Sequence, residues 1–298
     1  MRVSLGLPIH RVDAASEFVT GEAVAEISRA AESAGFSAVF VTDHPAPPER
    51  WVRGGGHVTT DPLLTLGFAA AATSTLHLQT NLFVPAYRHP LVAAKSVATL
   101  DLLSGGRVIL GVGAGYLEPE FAALAADFEH RNDVLDDSLR TMLAAWSGDE
   151  VDGVATTPRP AQRSGPPVWI GGNSKRAIRR AVELGQGWVP MPSPAAAAAH
   201  LRTPGLESLD DLRARLDYLR EQCASAGRDS SELDICFMPS GLDMFAKATP
   251  DASKIVDDIS ALAALGVTWV TVALPGDTRR DLLAQIDIFG RRVIRSAC

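Results

Sequence analysis

Two kinds of hydrophobic pattern alternate along this chain. Short runs that are apolar at nearly every position sit at Val3 to Ile9, Ser37 to Thr42, Leu76 to Val84, Arg107 to Val112, Pro167 to Ile170, Gly187 to Pro190, Leu233 to Met238 and Val267 to Ala273. Runs of that length without alternation are the mark of strands covered on both faces, as in parallel sheets. Between them, apolar residues recur every three or four positions, the spacing of an amphipathic helix. Gly21 to Ala34 turns Val24, Ile27, Ala31 and Ala34 inward and stops at Gly35. Pro62 opens a helix to about Thr73, and Pro90 opens another with Leu91, Ala94, Ala98 and Leu102 on one stripe, ended by Gly105-Gly106. Proline suits a first helical turn because its missing N–H costs nothing there, and glycine suits the stop. Further helices are predicted over 118–126, 132–146, the segment carrying Ala177, Ile178, Ala181 and Val182, 209–226, 250–265, and a last one striped by Leu282, Ile286, Phe289 and Val293. Eight strands alternating with helical regions predict a closed α/β (β/α)8 TIM barrel, and with no linker in the pattern residues 1–298 form a single domain. A doubly wound open sheet is the competing architecture; it expects a glycine-rich turn after the first strand, where Pro8-Ile9-His10 stands.

Two stretches lack periodicity. The segment from Pro45 to His57 is rich in proline and glycine and reads as a long loop, a place for lids and binding loops. The alanine run at 195–199 reads as a helical turn within a loop.

Composition narrows the function. A formal charge of −7 argues against nucleic acid or an anionic membrane as partner, and 46% hydrophobic residues suffice for a core. No apolar run reaches the roughly 18 residues of a membrane span, and the first residues read as a strand rather than a signal peptide. Cys223, Cys236 and Cys298 are too widely spaced for a metal pattern, which fits reduced thiols in a cytoplasmic protein. Without a His-x-His or a cysteine or carboxylate cluster, no metal site is predicted.

In a barrel of this kind chemistry belongs to the C-terminal ends of the strands. There the chain offers Asp43-His44, Asn81-Leu82, Tyr87-Arg88, Gly113 to Tyr116 and Gly171-Gly172-Asn173-Ser174. His44 can exchange a proton near neutral pH or donate a hydrogen bond to a cofactor ring; a loop-capping His-Pro turn would use the same residue. His77, inside a strand, and His89, before a proline, read as structural. The Gly171–Ser174 turn enters a helix, where small residues and free amides suit a phosphate as well as an ordinary capped loop. No Gly-x-Ser-x-Gly elbow is present. One phosphate loop, one histidine and glycine-lined strand ends point to a phosphorylated planar cofactor that carries the chemistry.

Taken together, V-T-D-H at 41–44, Q-T-N-L-F-V-P at 79–85, R-H-P at 88–90, S-G-G-R-V-I-L-G-V-G-A-G-Y at 104–116, P-V-W-I-G-G-N-S at 167–174 and E-L-G-Q-G-W at 183–188 resemble the bacterial luciferase-like family of flavin- and deazaflavin-dependent oxidoreductases. The resemblance covers most of the chain from Val3 to about Pro190 and implies a luciferase-like barrel. It implies an oxidoreductase that transfers a hydride between coenzyme F420 and a small-molecule substrate, with His44 and Asp43 as the catalytic pair. An FMN-dependent monooxygenase using oxygen is the alternative, and a non-catalytic flavin-binding protein a further one. Asn81, Leu82, Gly113, Gly171, Gly172, Asn173 and Ser174 would bind the cofactor, with a non-prolyl cis peptide at Asn81-Leu82. Trp51, His57, Tyr87, Arg88 and Tyr116 would face the substrate. Sugar-phosphate dehydrogenases of the deazaflavin branch place a glutamate acid where Tyr116 stands. A tyrosine, with a pKa near 10, is a poorer proton partner, so Tyr116 is expected to wall the pocket. The resemblance also implies a homodimer.

Overall fold

A computed structural model describes residues 1–149, 151, 153–239, 242 and 251–297; Pro250 and Cys298 lie outside this set. Eight parallel strands close into a barrel in chain order: β1 Arg2–Gly6, β2 Ala38–Val41, β3 His77–Phe83, β4 Val108–Val112, β5 Val168–Gly171, β6 Gly187–Val189, β7 Asp234–Phe237 and β8 Trp269–Val272. β8 pairs back onto β1, with Val3 opposite Val270, so the sheet has no edge. Among the described residues, eight helices of ten residues or more surround it: α1 Gly21–Ala34, α2 Pro62–Ala72, α3 Pro90–Ser104, α4 Arg131–Ser147, α5 Lys175–Leu184, α6 Leu209–Ser225, α7 Ala252–Leu265 and α8 Arg279–Phe289. The (β/α)8 expectation is therefore met, each strand lying within a residue or three of its apolar run.

The strands divide their side chains by the period-two rule. Val3 and Leu5 of β1, Val39 and Val41 of β2 and Leu78 of β3 pack outward against the helices in the main core. Ala38, Ile109, Trp169, Cys236 and Trp269 form a second cluster that fills the barrel interior. The rings of Trp169 and Trp269 meet edge to face there at 5.2 Å. Above that plug the interior opens toward the C-terminal ends of the strands.

Local signals explain the helix boundaries. Thr20, Asp61, Ser174 and Asp251 each accept a backbone N–H at the start of α1, α2, α5 and α7, and Ser208 with Asp211 and Thr278 with Asp281 complete capping boxes at α6 and α8. His89 Nδ1 accepts from Leu91 N at 3.3 Å and caps α3, and His77 bonds the Ser37 carbonyl oxygen at 3.1 Å and packs on Trp269. Both are structural, as read from the sequence. In the Ser104–Arg107 motif, Arg107 donates to the carbonyls of Ala70, Leu76 and Ser104 and to the Thr73 hydroxyl. That half of the motif ties helices to strands at the closed end of the barrel.

Two local readings change. Leu102 is 49% exposed, because the buried face of α3 runs through Ala94, Val97, Ala98 and Asp101. The buried Asp101 carboxylate accepts from Val108 N and from the backbone and side-chain amides of Gln162, so an acid holds a position that hydrophobic periodicity assigns to leucine. Within the long loop, Glu49–Arg53 forms a short helix. A single turn between prolines and glycines is too short to carry a period.

Candidate active site

His44 follows β2 and is 9% exposed. Its backbone N–H donates to Thr59 Oγ1 at 3.1 Å, and its Nδ1 lies 3.1 Å from Glu120 Oε2. Glu120, in the short helix Glu118–Ala123 that follows β4, is 0% exposed. Its carboxylate also accepts from Ala46 N at 2.9 Å and from the Tyr87 hydroxyl at 2.9 Å. Ala46 N and the Tyr87 hydroxyl already donate to this carboxyl group, so we assign His44 Nδ1 as its third donor, which leaves Nε2 as the nitrogen able to accept. Three donors converging on one buried carboxylate hold the imidazole in a single orientation.

This corrects the sequence-based pairing of His44 with its neighbour Asp43. The Asp43 carboxylate accepts from Arg88 Nη1 and Nη2 at 2.7 and 2.9 Å and from Val84 N at 3.0 Å. It is a buried clamp between the ends of β2 and β3, and its lone pairs are taken up there. Arg88, expected on the substrate side, is the other half of that clamp and stacks over Phe83 at 4.3 Å; it does not line the cavity.

Around His44 stand Trp51, His57 and Tyr116, with ring centroids at 4.9, 4.8 and 5.9 Å. Of the expected substrate-side residues, Trp51, His57 and Tyr116 thus surround the His44 ring and Tyr87 reaches it through Glu120; His57, Tyr87 and Tyr116 line the cavity, and Trp51 does not. Burial and the Glu120 charge push Tyr116 up to about 12 and raise Tyr87 well beyond the ordinary tyrosine value. Both are hydrogen-bond donors rather than acids at neutral pH. A carboxylate does reach the site, four residues beyond Tyr116, but it is spent on the His44 ring.

His57 sits with Nε2 3.1 Å from Thr42 Oγ1, and burial, with His44 and His10 nearby, depresses it from 6.5 to about 3. Between those values the unfolded chain binds a proton at position 57 that the folded chain refuses, so stability falls as pH drops through this window. His57→Gln is therefore expected to lose less stability than wild type between pH 7 and 4, the difference reaching at most about 1.4 kcal/mol per pH unit. Urea unfolding across that range measures it; parallel curves for the two proteins would contradict the neutral, buried state of His57.

A cavity of ≈ 380 Å³ runs from His44 and Tyr116 across the strand ends to the Gly171–Ser174 turn. Its floor is the Asn81-Leu82 bulge, where the peptide bond is cis and the β3–β4 register shifts. The Leu82 side chain lies against Gly113 and Gly171, where a Cβ at Gly171 would overlap Leu82 Cδ1. Gly171, at the end of β5, is thus required by the close approach of this one apolar side chain, and Gly113, just after β4, sits in tight contact with it. Gly172, at φ 110°, turns the chain from β5 toward α5. Asn173, expected in the phosphate loop, faces elsewhere. It is fully buried, its Nδ2 donates to the carbonyls of Met191 and Pro204 and to Ser193 Oγ, and its Oδ1 accepts from Met191 N. It ties the turn to the chain after β6, and those bonds saturate its amide.

The residues present fit a phosphorylated planar group: an apolar floor at Leu82, a glycine turn at a helix N-terminus, and arginines lining the outer end. Sequence reading missed Glu120 and these arginines. Glu120 had a signal, since Leu117, Glu120 and Phe121 share the inward spacing of one helical stripe, and a charge on such a stripe requires partners. Among the described residues no group of three or more His, Cys, Asp or Glu is placed to hold a metal, and no helix is long and apolar enough to cross a membrane.

Residues 1–242 match the family described as luciferase-like monooxygenase, and the chain belongs to that family. It is 28% identical over 297 residues to an uncharacterised protein of Mycobacterium tuberculosis, spanning 92% of this chain and 94% of the relative. Over 248 residues it is 31% identical to the F420-dependent glucose-6-phosphate dehydrogenase of Beutenbergia cavernae, 80% of this chain and 68% of the relative. The coenzyme F420 dependent tetrahydromethanopterin reductase from Methanopyrus kandleri shares the fold, with a TM-score of 0.75 over 100% of this chain and 99% of that one at 18% identity. The protein is an enzyme of the oxidoreductase class.

Proposed function

We propose that the protein transfers a hydride between coenzyme F420 and a small organic substrate bearing an alcohol or carbonyl at the reacting carbon. The observation that carries this reading is the buried Glu120–His44 pair beside the cavity. When bound, the deazaflavin supplies the hydride acceptor or donor. The protein supplies the matching proton site. His44 Nε2 takes the hydroxyl proton as the C–H hydride leaves the same carbon, and in the reverse direction returns it to the carbonyl oxygen. Glu120 stabilises the imidazolium formed in the first case and fixes the ring in both. Tyr116, Trp51 and His57 wall off water on the substrate side. The Asn81-Leu82 bulge would back the ring, and Gly113, Gly171, Gly172 and Ser174 would receive the ring edge and phosphate.

F420-dependent names among relatives support this cofactor over FMN; the family description itself names a monooxygenase, so the FMN reading with oxygen is the one to exclude. Equilibrium binding of the purified protein to F420 and to FMN decides between them. Micromolar or tighter F420 binding is expected. Tight FMN binding with no detectable F420 binding would overturn the proposal, and binding of neither would favour a non-catalytic protein.

A further inference from the structure

Four arginines line the outer end of the cavity: Arg131, Arg176, Arg180 and Arg202. Two are already matched. Arg176 pairs with Asp133 and Asp136, and Arg180 with Asp136 and the Asn132 carbonyl. These contacts hold α5 against α4, and their charge is spent within the fold.

The other two are not matched in this way. Arg131 donates to the Phe128 carbonyl at 2.8 Å and, among the described residues, makes no ion pair. Arg202 has one partner, Glu118 at 3.6 Å, in a pair whose side chains are 49% and 60% exposed, a geometry that contributes little in water. The two guanidinium groups flank Phe128, at 4.1 and 5.5 Å from its ring centroid, and their mutual repulsion helps to lower Arg131 from its ordinary value, after burial. The fold therefore brings two cations together with only the exposed carboxylates of Glu118 and Glu129 near them, and no buried partner of the kind Asp136 gives Arg180. Arg202 also holds a left-handed backbone, φ 53°, at the end of the helix Ala198–Leu201. Glycine adopts that conformation freely, so backbone geometry gives no reason for an arginine here. Its neighbour Thr203 accepts the Asn173 amide at 2.9 Å, which fixes the arginine beside the Gly171–Ser174 turn.

We propose that Arg131 and Arg202, braced on Phe128, form a site for carboxylates that extend beyond the cofactor phosphate: the oligoglutamate tail that F420 carries and FMN lacks. This rests on the F420 reading above and deepens it. The turn at Gly171–Ser174 would receive the phosphate that either cofactor offers, whereas the arginine pair answers to the polyanionic chain leading outward to solvent. No pocket shape is required, only two guanidinium groups spaced along an extended chain of like charges, so the contribution is electrostatic and salt-sensitive.

The test compares F420 bearing several glutamates with the form that ends at the phospholactyl group, by equilibrium binding to wild type, Arg202→Gly and Arg131→Gln. Wild type is expected to bind the long-tailed form about five- to tenfold more tightly at low salt, as for one or two exposed ion pairs. This preference should shrink to about twofold near 0.5 M salt. Arg202→Gly should keep or raise the thermal midpoint while losing most of the preference, which separates binding from folding. Equal wild-type affinity for the two forms overturns the tail site while leaving the F420 reading intact. Equal weakening of both forms, and of FMN, by Arg202→Gly overturns it by making the arginine a phosphate ligand. Absence of binding by either F420 form overturns the site together with the reading on which it rests.

Discussion

Replacing His44 by alanine is expected to lower F420-dependent turnover by about 10²- to 10⁴-fold, the range for loss of a positioned general acid–base group, with the fold retained. Nε2 is the proton acceptor that the Glu120 contact leaves on this ring, and the neighbouring groups cannot take over. Tyr116 is pushed up to about 12 and His57 down to about 3, while Asp43 is locked by Arg88 and Val84 N. Stability should fall by only about 1–2 kcal/mol, since Glu120 keeps two of its three donors when the imidazole is removed. Cofactor bleaching with a turning-over substrate, beside the thermal midpoint, reads both quantities. A variant that turns over at the wild-type rate removes His44 from the chemistry.

The elements that were legible in the sequence are those whose signal is local. A strand buried on both faces writes itself as a continuous apolar run, and helix boundaries as the Pro62 and Pro90 starts and the Gly35 and Gly105 stops. His44 was legible because it ends such a run. The partner of His44 was not, because it lies 76 residues away, and adjacency favoured Asp43. What each carboxylate does follows from which donors the closed barrel brings to it, and register across β2, β3 and β4 decides that. Asn173 failed for the same reason. Its place after two glycines matches a phosphate loop, but the chain after β6 folds back and claims its amide. The arginine pair is invisible in composition, since what distinguishes Arg131 and Arg202 from Arg176 and Arg180 is the absence of a matching aspartate across the helix interface.

Glu120 is the residue whose removal should cost most in stability and activity together, and two variants separate those effects. Glu120→Ala leaves His44 Nδ1, Ala46 N and the Tyr87 hydroxyl without their shared acceptor in a fully buried place. Each unsatisfied donor costs about 1–3 kcal/mol. Relief of the buried charge offsets part of this, so a net loss of about 2–5 kcal/mol is expected. Glu120→Gln preserves shape and keeps an oxygen on Ala46 N, with its amide nitrogen where Oε2 faced both the Tyr87 hydroxyl, which can rotate to accept, and His44; its stability should fall by less, by about 1–2 kcal/mol. Its amide hydrogens face the imidazole, however, and turn Nδ1 into an acceptor. The proton then moves to Nε2, the nitrogen the chemistry needs open, as happens when the acid of a serine-protease triad becomes an amide, where the loss is about 10⁴-fold. Turnover of Glu120→Gln should accordingly fall by about 10²- to 10⁴-fold in a folded protein, and ¹⁵N imidazole shifts should show the proton on Nε2 instead of Nδ1. Wild-type turnover with an unchanged tautomer would mean that Glu120 only braces the loop after β2. The shifted tautomer with wild-type turnover would mean that His44 binds substrate without exchanging a proton, and the hydride-transfer reading would then need its proton site elsewhere.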